Sequence, residues 1–445
     1  LATAGYRDPE ALLARLSAVQ AHPRYLQLPS LSRDRFDALV PQLLAAAAQA
    51  AADALDPQDV FLRLLDFLES VNRRSAYLAL LMEHPPLMPR LAHLMGTSAW
   101  AALYLTRHPI LLDELLDARL LLADPDWGDW RRELARALDN AGDDPEAQMD
   151  ALRHFQHAQA FRLLVQDVAG HLTVERLADH LSALADTILD ATVAHCWQMM
   201  RGPEAPPPRF AVIGYGKLGG KELGYASDLD LVFLYDVAHD DPDADAMPQR
   251  YARLAQRVNT WLTSMTGAGH LYDTDLRLRP DGEAGLIVSS VGAFRRYQRE
   301  HAWTWEHQAL TRARFVVGDP AIGAAFEAER DAILRLPRDA AKLAADVTEM
   351  RRRMHDGHPN PTALFDLKHD AGGMVDIEFA VQFLVLAGAC AHPALTRNAG
   401  NIALLHLAGD LGLAPPDLAH AVADAYRDYR RQQHALRLAG ARHAR

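Results

Sequence analysis

The chain reads as an α+β protein, mostly helical, with one small mixed sheet set between helical segments. Three observations predict this. Residues 1 to about 200 repeat apolar side chains at three- and four-residue steps. A proline-rich connector, "RGPEAPPPRF", then stops the helices and is followed by short apolar strands. From about residue 325 the helical period returns and runs to the end.

Within the first segment, "ALLARLSAV", "DVFLRLLDFLESV" and "ILLDELLDARLLL" carry the helical period, and "HPPLMP" and "RHPILLDELL" punctuate it. The alanine run Ala45–Ala48 fits helix surface and close packing. The stretch "VERLADHLSALADTILDATVAHCWQMM" predicts one long helix before the connector. Beyond it, "FAVIGY", "DLVFLY" and "HLYDTDLRLRP" read as strands, with "PQRYARLAQRVNTWLTSMT" as a helix among them. Four more helical stretches follow, among them "VDIEFAVQFLVLAGA" and "PPDLAHAVADAYRDYRRQQHALRLAG". The expected domains are 1–205, helical with its linker; 206–325, mixed; and 326–445, a helical bundle.

Composition limits the function. The 445 residues suit two or three domains. Forty-six basic against fifty-eight acidic residues give a net charge of −12, which disfavours nucleic acid or an anionic membrane as a general partner. Two cysteines are too few for a disulfide framework or zinc cluster, so a reducing cytoplasm is expected. No apolar run is long enough to span a membrane and no signal peptide opens the chain. It begins at Leu1 rather than Met, as expected of a piece of a longer protein.

The chemistry concentrates in "FAVIGYGKLGGKELGYASDLDLVFLYD", Phe210 to Asp236. Gly214, Gly216 and Gly219 match the spacing of a dinucleotide loop, and Asp236 lies at about the right distance for a ribose-binding acid. That loop also needs a crossover helix. Only "KELGYAS" separates Gly220 from the aspartates, too little to cross back over a sheet. A triphosphate reading uses every piece. Backbone N–H groups of a glycine turn and a short helix N-terminus favour phosphate oxygens, and Ser227 adds a hydroxyl. Alternation along a strand sends Asp228 and Asp230 to one face, where two carboxylates can grip paired Mg²⁺ ions. The plain alternative is a solvated strand end.

"HLYDTDLRLRP" repeats the pattern: on a strand, Asp273, Asp275, Arg277 and Arg279 share one face. Two acids and two arginines are costly to bury without partners. Beside metal ions and a triphosphate, an acid completes the cage and the arginines neutralise pyrophosphate. An exposed edge with internal ion pairs is the alternative.

A glycine turn, Asp-x-Asp and a third Asp on a later strand resemble the DNA polymerase beta-like nucleotidyltransferases. More narrowly, "GYGKLGGKELGYASDLDLVF", "YDTDLRLRPDGEAGLIVSS", "AWTWEHQALTRAR" and "FDLKHDAGGMVDIEF" together resemble glutamine synthetase adenylyltransferase, as do "RHPILLDELLD" and "DALRHFQHAQAFRLLVQDVAG". The resemblance covers nearly the whole chain. It implies two related halves, one removing AMP from a tyrosine of glutamine synthetase by phosphorolysis and one adding it from ATP. "AWTWEHQALTRAR" and Asp376 in "GGMVDIEF" are similar to the adding half, and only one copy of the aspartate motif is present. The ending "LAGARHAR" is shorter than the family's, which is expected to run on into another helix.

Position by position, the resemblance makes Asp228, Asp230 and Asp275 the catalytic and metal-binding carboxylates, with two Mg²⁺ and with ATP as substrate. Gly219, Gly220 and Ser227 match the phosphate segment, and Lys217, Lys221, Arg277 and Arg279 are candidate triphosphate contacts. Asp273 has no fixed counterpart. Lys368, Asp376 and Glu378 lie in a shared block; the two acids either approach the nucleotide or cap the helix "DIEFAVQFLVL", whose Phe379, Phe383 and Leu386 read as core. The implied partners are glutamine synthetase, with the PII signal protein and glutamine as effectors. His154, His157, His355 and His358 lack matching ligand sets; Trp303 and Trp305 read as packing rather than adenine stacking; and Arg351–Arg353 as a solvated helix face.

Overall fold

The computed structural model describes residues 1–237, 244–397 and 400–441. It is mostly helical with one five-stranded mixed sheet, the α+β architecture expected. The chain divides into two compact units. The first comprises Leu1–Asp124, His157–Thr173 and a stretch from His434; the second comprises Pro125–Gln156 and Val174–Gln433. The last four residues of "LAGARHAR" lie outside the described residues.

The first unit is helical throughout. Two of its helices begin where an aspartate precedes a proline. Asp8 caps Pro9–Ala21, and the Asp56 carboxylate accepts from the Gln58 and Asp59 N–H groups at the start of Pro57–Val71. The aspartate satisfies backbone donors the first turn leaves open, and proline lacks the donor that would otherwise go unused. Phe36, Leu39 and Leu43 of helix Ser30–Gln49 are buried with Phe61, Leu64, Leu65 and Leu68 of Pro57–Val71 and with Leu91 and Met95 of Leu87–Thr97. The predicted helix "ILLDELLDARLLL" is instead a 3₁₀ segment, Pro109–Leu115, followed by the single turn Ala118–Leu121.

The second unit is built on strands β1 (Phe210–Gly214), β2 (Leu229–Tyr235), β3 (Thr274–Asp275), β4 (Val288–Ser290) and β5 (Arg314–Gly318). The order is β3-β2-β1-β5. β1 pairs antiparallel with β2 and β5, while β3 and β4 pair parallel with β2, one after the other along its length. Every residue of β1 is buried, because both faces are covered. Ala211, Ile213, Val232 and Leu234 pack with Phe294, Leu310, Ile322 and Phe326. On the other face Phe210 stacks on Phe233 and Tyr251, and Tyr251 stacks on Trp197 and Tyr235.

The predicted strand "HLYDTDLRLRP" survives only as Thr274–Asp275. After Asp275 the chain turns: Arg277 donates its N–H back to the Asp275 carboxylate, and Arg279 Nη1 donates to the Leu276 carbonyl at 2.6 Å. The four charged residues therefore do not share a strand face. Helix Met374–Gly388 carries Phe379, Phe383 and Leu386 against the sheet-side core, as expected, and Ile377, Val381 and Val385 against a second core with Leu404, Leu405 and Tyr426. Among the described residues no helix is long and apolar enough to cross a membrane.

Arg153 is fully buried in this unit. Its guanidinium donates to the carbonyls of Gly269 (2.9 Å), Met149 (2.9 Å), Trp261 (3.0 Å) and Ser264 (2.5 Å). Burial lowers its pKa, and the four acceptors offset the desolvation of the charge. Replacing Arg153 with Met leaves several carbonyls buried without donors, each costing roughly 1–3 kcal/mol. Arg153→Met is expected to lower the thermal midpoint by several degrees, measured by circular dichroism against wild type.

Candidate active site

The site forms where β1 ends and β2 begins. The Tyr215 N–H donates to the Asp230 carbonyl at 2.9 Å, and the chain then makes one helical turn, Gly216–Gly219. Lys221 ends the turn in the left-handed region, with φ 52°. The Gly219 and Gly220 N–H groups are spent inside the turn, on the Tyr215 and Gly216 carbonyls. Gly219 is glycine for a second reason: a Cβ there would overlap the Arg312 and Gly214 carbonyl oxygens. Downstream, Ser227 Oγ accepts from the Gly224 N–H at 3.0 Å and closes the next turn.

Three carboxylates gather at the start of β2. Asp230 and Asp275 are register partners across the β2–β3 pair, and Asp228 precedes β2 on the exposed side. Burial, reinforced by Asp228 and Asp275, pushes the Asp230 carboxyl up to about 6. Asp275 is held the other way: Arg277 grips it through Nε at 3.0 Å and Nη2 at 2.5 Å and keeps it below the usual carboxylate range. Asp273 is turned out to solvent beside His270.

Basic groups surround the acids. Lys217 is partly buried, and burial together with nearby Lys368 lowers its pKa; Glu378 and Asp228 oppose that shift. Lys221 is exposed and its charge reaches Asp186, which Arg314 holds at 2.7 Å. Arg279 props the turn before β4, with Nε on the Gly285 carbonyl at 3.2 Å. The structure thus brings Asp228, Asp230, Asp275 and Lys217 together, with Arg277 on Asp275. Asp273 faces solvent; Arg279 is bonded to the Leu276 and Gly285 carbonyls, and its charge bears on Asp275.

These residues fit a divalent cation. Among the described residues, no group of three or more His, Cys, Asp or Glu side chains is placed to hold a metal ion. The fit lies in the mutual repulsion at Asp230, which a cation would relieve. Gly216, with φ 53°, lies so close to this carboxylate that a Cβ there would overlap Asp230 Oδ2, so only glycine keeps a side chain off it.

Several neighbours escaped the sequence reading. Glu222 lies at the end of the glycine loop and is buried. Its carboxylate meets Arg312 Nη2 at 2.6 Å, and Arg312 Nη1 meets Glu378 at 3.0 Å. Asn401 and Tyr426 complete the cluster. Glu378 therefore does not cap its helix. Asp376 does sit in the first turn, bonded to the Gly372 N–H and to Arg351. Arg351 points inward for this reason, while Arg352 and Arg353 pair with Glu349 in solvent. Trp303, 69% exposed, and Trp305, 39% exposed, are not packing residues. His358 stacks on His369 with ring centroids 4.4 Å apart.

Comparison with known proteins supplies a family. Residues 88–329 match the model for glutamate-ammonia ligase adenylyltransferase, and residues 341–444 match that for GlnD PII-uridylyltransferase. Three relatives bear the name bifunctional glutamine synthetase adenylyltransferase/adenylyl-removing enzyme. That of Chromobacterium violaceum is 55% identical over 438 residues, 98% of this chain and 48% of its own length. That of Aromatoleum aromaticum is 56% identical over 414 residues, 93% and 43%. That of Ralstonia nicotianae is 54% identical over 440 residues, 98% and 45%. The chain spans about half the length of the curated relatives it matches.

The raised Asp230 pKa predicts a pH-dependent cost. A carboxyl whose pKa rises from 3.8 to about 6 on folding stabilises the fold below 3.8, and that stability is lost as pH rises through 6. Asp230→Asn removes the penalty. In chelator, the variant is expected to melt higher than wild type at pH 7.5, by at most about 3 kcal/mol in stability. The gain should shrink as the pH falls to 4; a constant difference would refute the assignment.

Proposed function

We propose that this chain, which belongs to the glutamate-ammonia ligase adenylyltransferase family, transfers AMP from ATP to a tyrosine hydroxyl of glutamine synthetase and releases pyrophosphate. The observation that carries this reading is the meeting of Asp228, Asp230 and Asp275 beside the glycine turn, with the side-chain-free Gly216 lying against Asp230. The five-stranded mixed sheet supports a DNA polymerase beta-like nucleotidyltransferase domain over residues 206–325, between a helical region 1–205 and a helical bundle 326–445.

Asp228, Asp230 and Asp275 would hold Mg²⁺. Two such ions, when bound, supply charge neutralisation at the triphosphate and lower the pKa of the attacking phenol, which is about 10 when free. The chain's own groups do the rest. Lys217 and Lys221 meet the triphosphate from the turn. Arg277 exchanges the Asp275 carboxylate for phosphate oxygens and neutralises the leaving pyrophosphate, with Arg279 setting the turn that carries it. Gly219, Gly220 and Ser227 shape the loop. Asp275, once released, either completes the Mg²⁺ site or accepts the phenol proton. Oxygen then bonds to the α-phosphorus as the bond to the bridging oxygen of pyrophosphate breaks. Positioning and charge supply most of the rate.

The flanking helices would dock glutamine synthetase in the cytoplasm. The match of residues 341–444 to a PII-uridylyltransferase model supports regulation by the PII signal protein, with glutamine as the second effector. The relatives' names also include an adenylyl-removing activity; the same carboxylates would serve such removal here by phosphorolysis.

The test is to incubate the chain with Mg²⁺, ATP and unmodified glutamine synthetase and weigh the subunit by mass spectrometry. One added AMP per subunit is expected. Asp228→Asn should reduce transfer at least about 100-fold with the circular dichroism spectrum unchanged. Loss of AMP from premodified subunits in phosphate, with no addition from ATP, would assign the removing activity instead.

A further inference from the structure

The loop that carries Lys217 and Gly219 ends on a carboxylate that its own strands do not satisfy. Glu222 is 7% exposed, and its N–H donates to the Lys217 carbonyl at 2.8 Å, so it closes the loop. Both carboxylate oxygens are bound from far along the chain. Oε1 accepts from the Asn401 N–H at 3.1 Å, and the Asn401 side-chain amide reaches both oxygens at 3.2–3.3 Å. The Tyr426 hydroxyl lies 3.0 Å from Oε2 and 2.9 Å from Glu378. Arg430 stands 4.0 Å from Oε1. Asn401 and Tyr426 are each 1% exposed. A Cβ at Gly400 would come within 3.2 Å of Glu222 Oε1, so the carboxylate lies directly against the Gly400 backbone.

Arg312 links this cluster to the acids of the site. It bridges Glu222 and Glu378, lies under Gly220, and its charge bears on both Asp230 and Lys217. A planar guanidinium bonded at both ends has one orientation. Tyr426 and Asn401 fix the carboxylate that fixes Arg312, and neither touches the three aspartates.

We propose that Asn401 and Tyr426 are positioning residues for the triphosphate: they hold Glu222, and through it Arg312 and the glycine loop, in the conformation that receives nucleotide. The helices Asn401–Asp410 and Pro416–Leu438 thereby complete the site rather than standing apart from it. Both residues lie in the segment that matches the second family model, so a ligand that shifts these helices would change nucleotide affinity before it changed chemistry. The proposal rests on the nucleotide reading above.

Tyr426→Phe keeps the ring and removes only the hydroxyl. Leu404→Ala, in the same apolar core but outside the polar cluster, serves as the destabilised control. Affinity for a fluorescent ATP analogue with Mg²⁺ is measured for each without glutamine synthetase, together with the melting temperature. Tyr426→Phe is expected to weaken binding about tenfold, and Asn401→Asp, which sets a second carboxylate against Glu222, to weaken it further. Leu404→Ala should melt lower yet bind as wild type does. Equal affinity in Tyr426→Phe and wild type would overturn the positioning role alone, as would a loss in Leu404→Ala as large as in Tyr426→Phe. A wild-type chain that binds no nucleotide would overturn the underlying reading as well.

Discussion

Three backbones meet at one point where no side chain fits, and the candidate site depends on that meeting. Gly219 lies against the carbonyls of Gly214, at the end of β1, and of Arg312, just before β5. Gly214 is itself hemmed in by Leu218 and Val316. With only hydrogens at these positions, the glycine turn lies flat on the sheet instead of arching away. The turn's register then places Gly216 over Asp230 and brings Glu222 down onto Arg312. A single added methyl would push the loop outward and separate both pairs, at the cost seen when well-packed regions are overfilled.

Two buried arginines show how differently one cation can be housed. Arg153 is held almost wholly by carbonyl oxygens, so burial lowers its pKa. Arg312 is buried too, but Glu222 and Glu378 outweigh the burial and hold its pKa above the usual value. The first arrangement is rigid and electrically quiet, suited to tying a helix to a turn. The second concentrates charge near Asp230 and Lys217, so geometry in the cluster carries into the electrostatics of the site. Removing one partner from such a group costs more than the pair is worth, because the survivor is stranded.

Local patterns were legible in the sequence. The apolar strand, the glycine turn and the aspartates sit within about twenty residues, so spacing alone implies that they meet. The same holds for Phe379, Phe383 and Leu386, whose helical period declares a buried face. Features decided by distant partners were not legible. Glu222 reads as one more loop charge until Asn401 and Tyr426, 179 and 204 residues away, are found on it. "HLYDTDLRLRP" alternates well enough for a strand, yet Arg277 finds a better partner in Asp275 two residues back and the ladder stops there. In Arg351–Arg353 the charge run hides one inward residue, because Asp376 waits on another helix.

The order of the strands has a bearing on synthesis. β1 and β2 are near neighbours in sequence and can pair as soon as both are made. β5, which covers the other edge of β1, lies roughly 80 residues beyond β2. At about 5–20 residues per second, that edge of "FAVIG" stays open for several seconds on the ribosome. An uncharged, wholly apolar strand with a free edge invites pairing with another nascent chain. Translation speed between Tyr235 and Arg314, or a chaperone that shields β1 in that interval, would then govern how much of the protein reaches its native sheet.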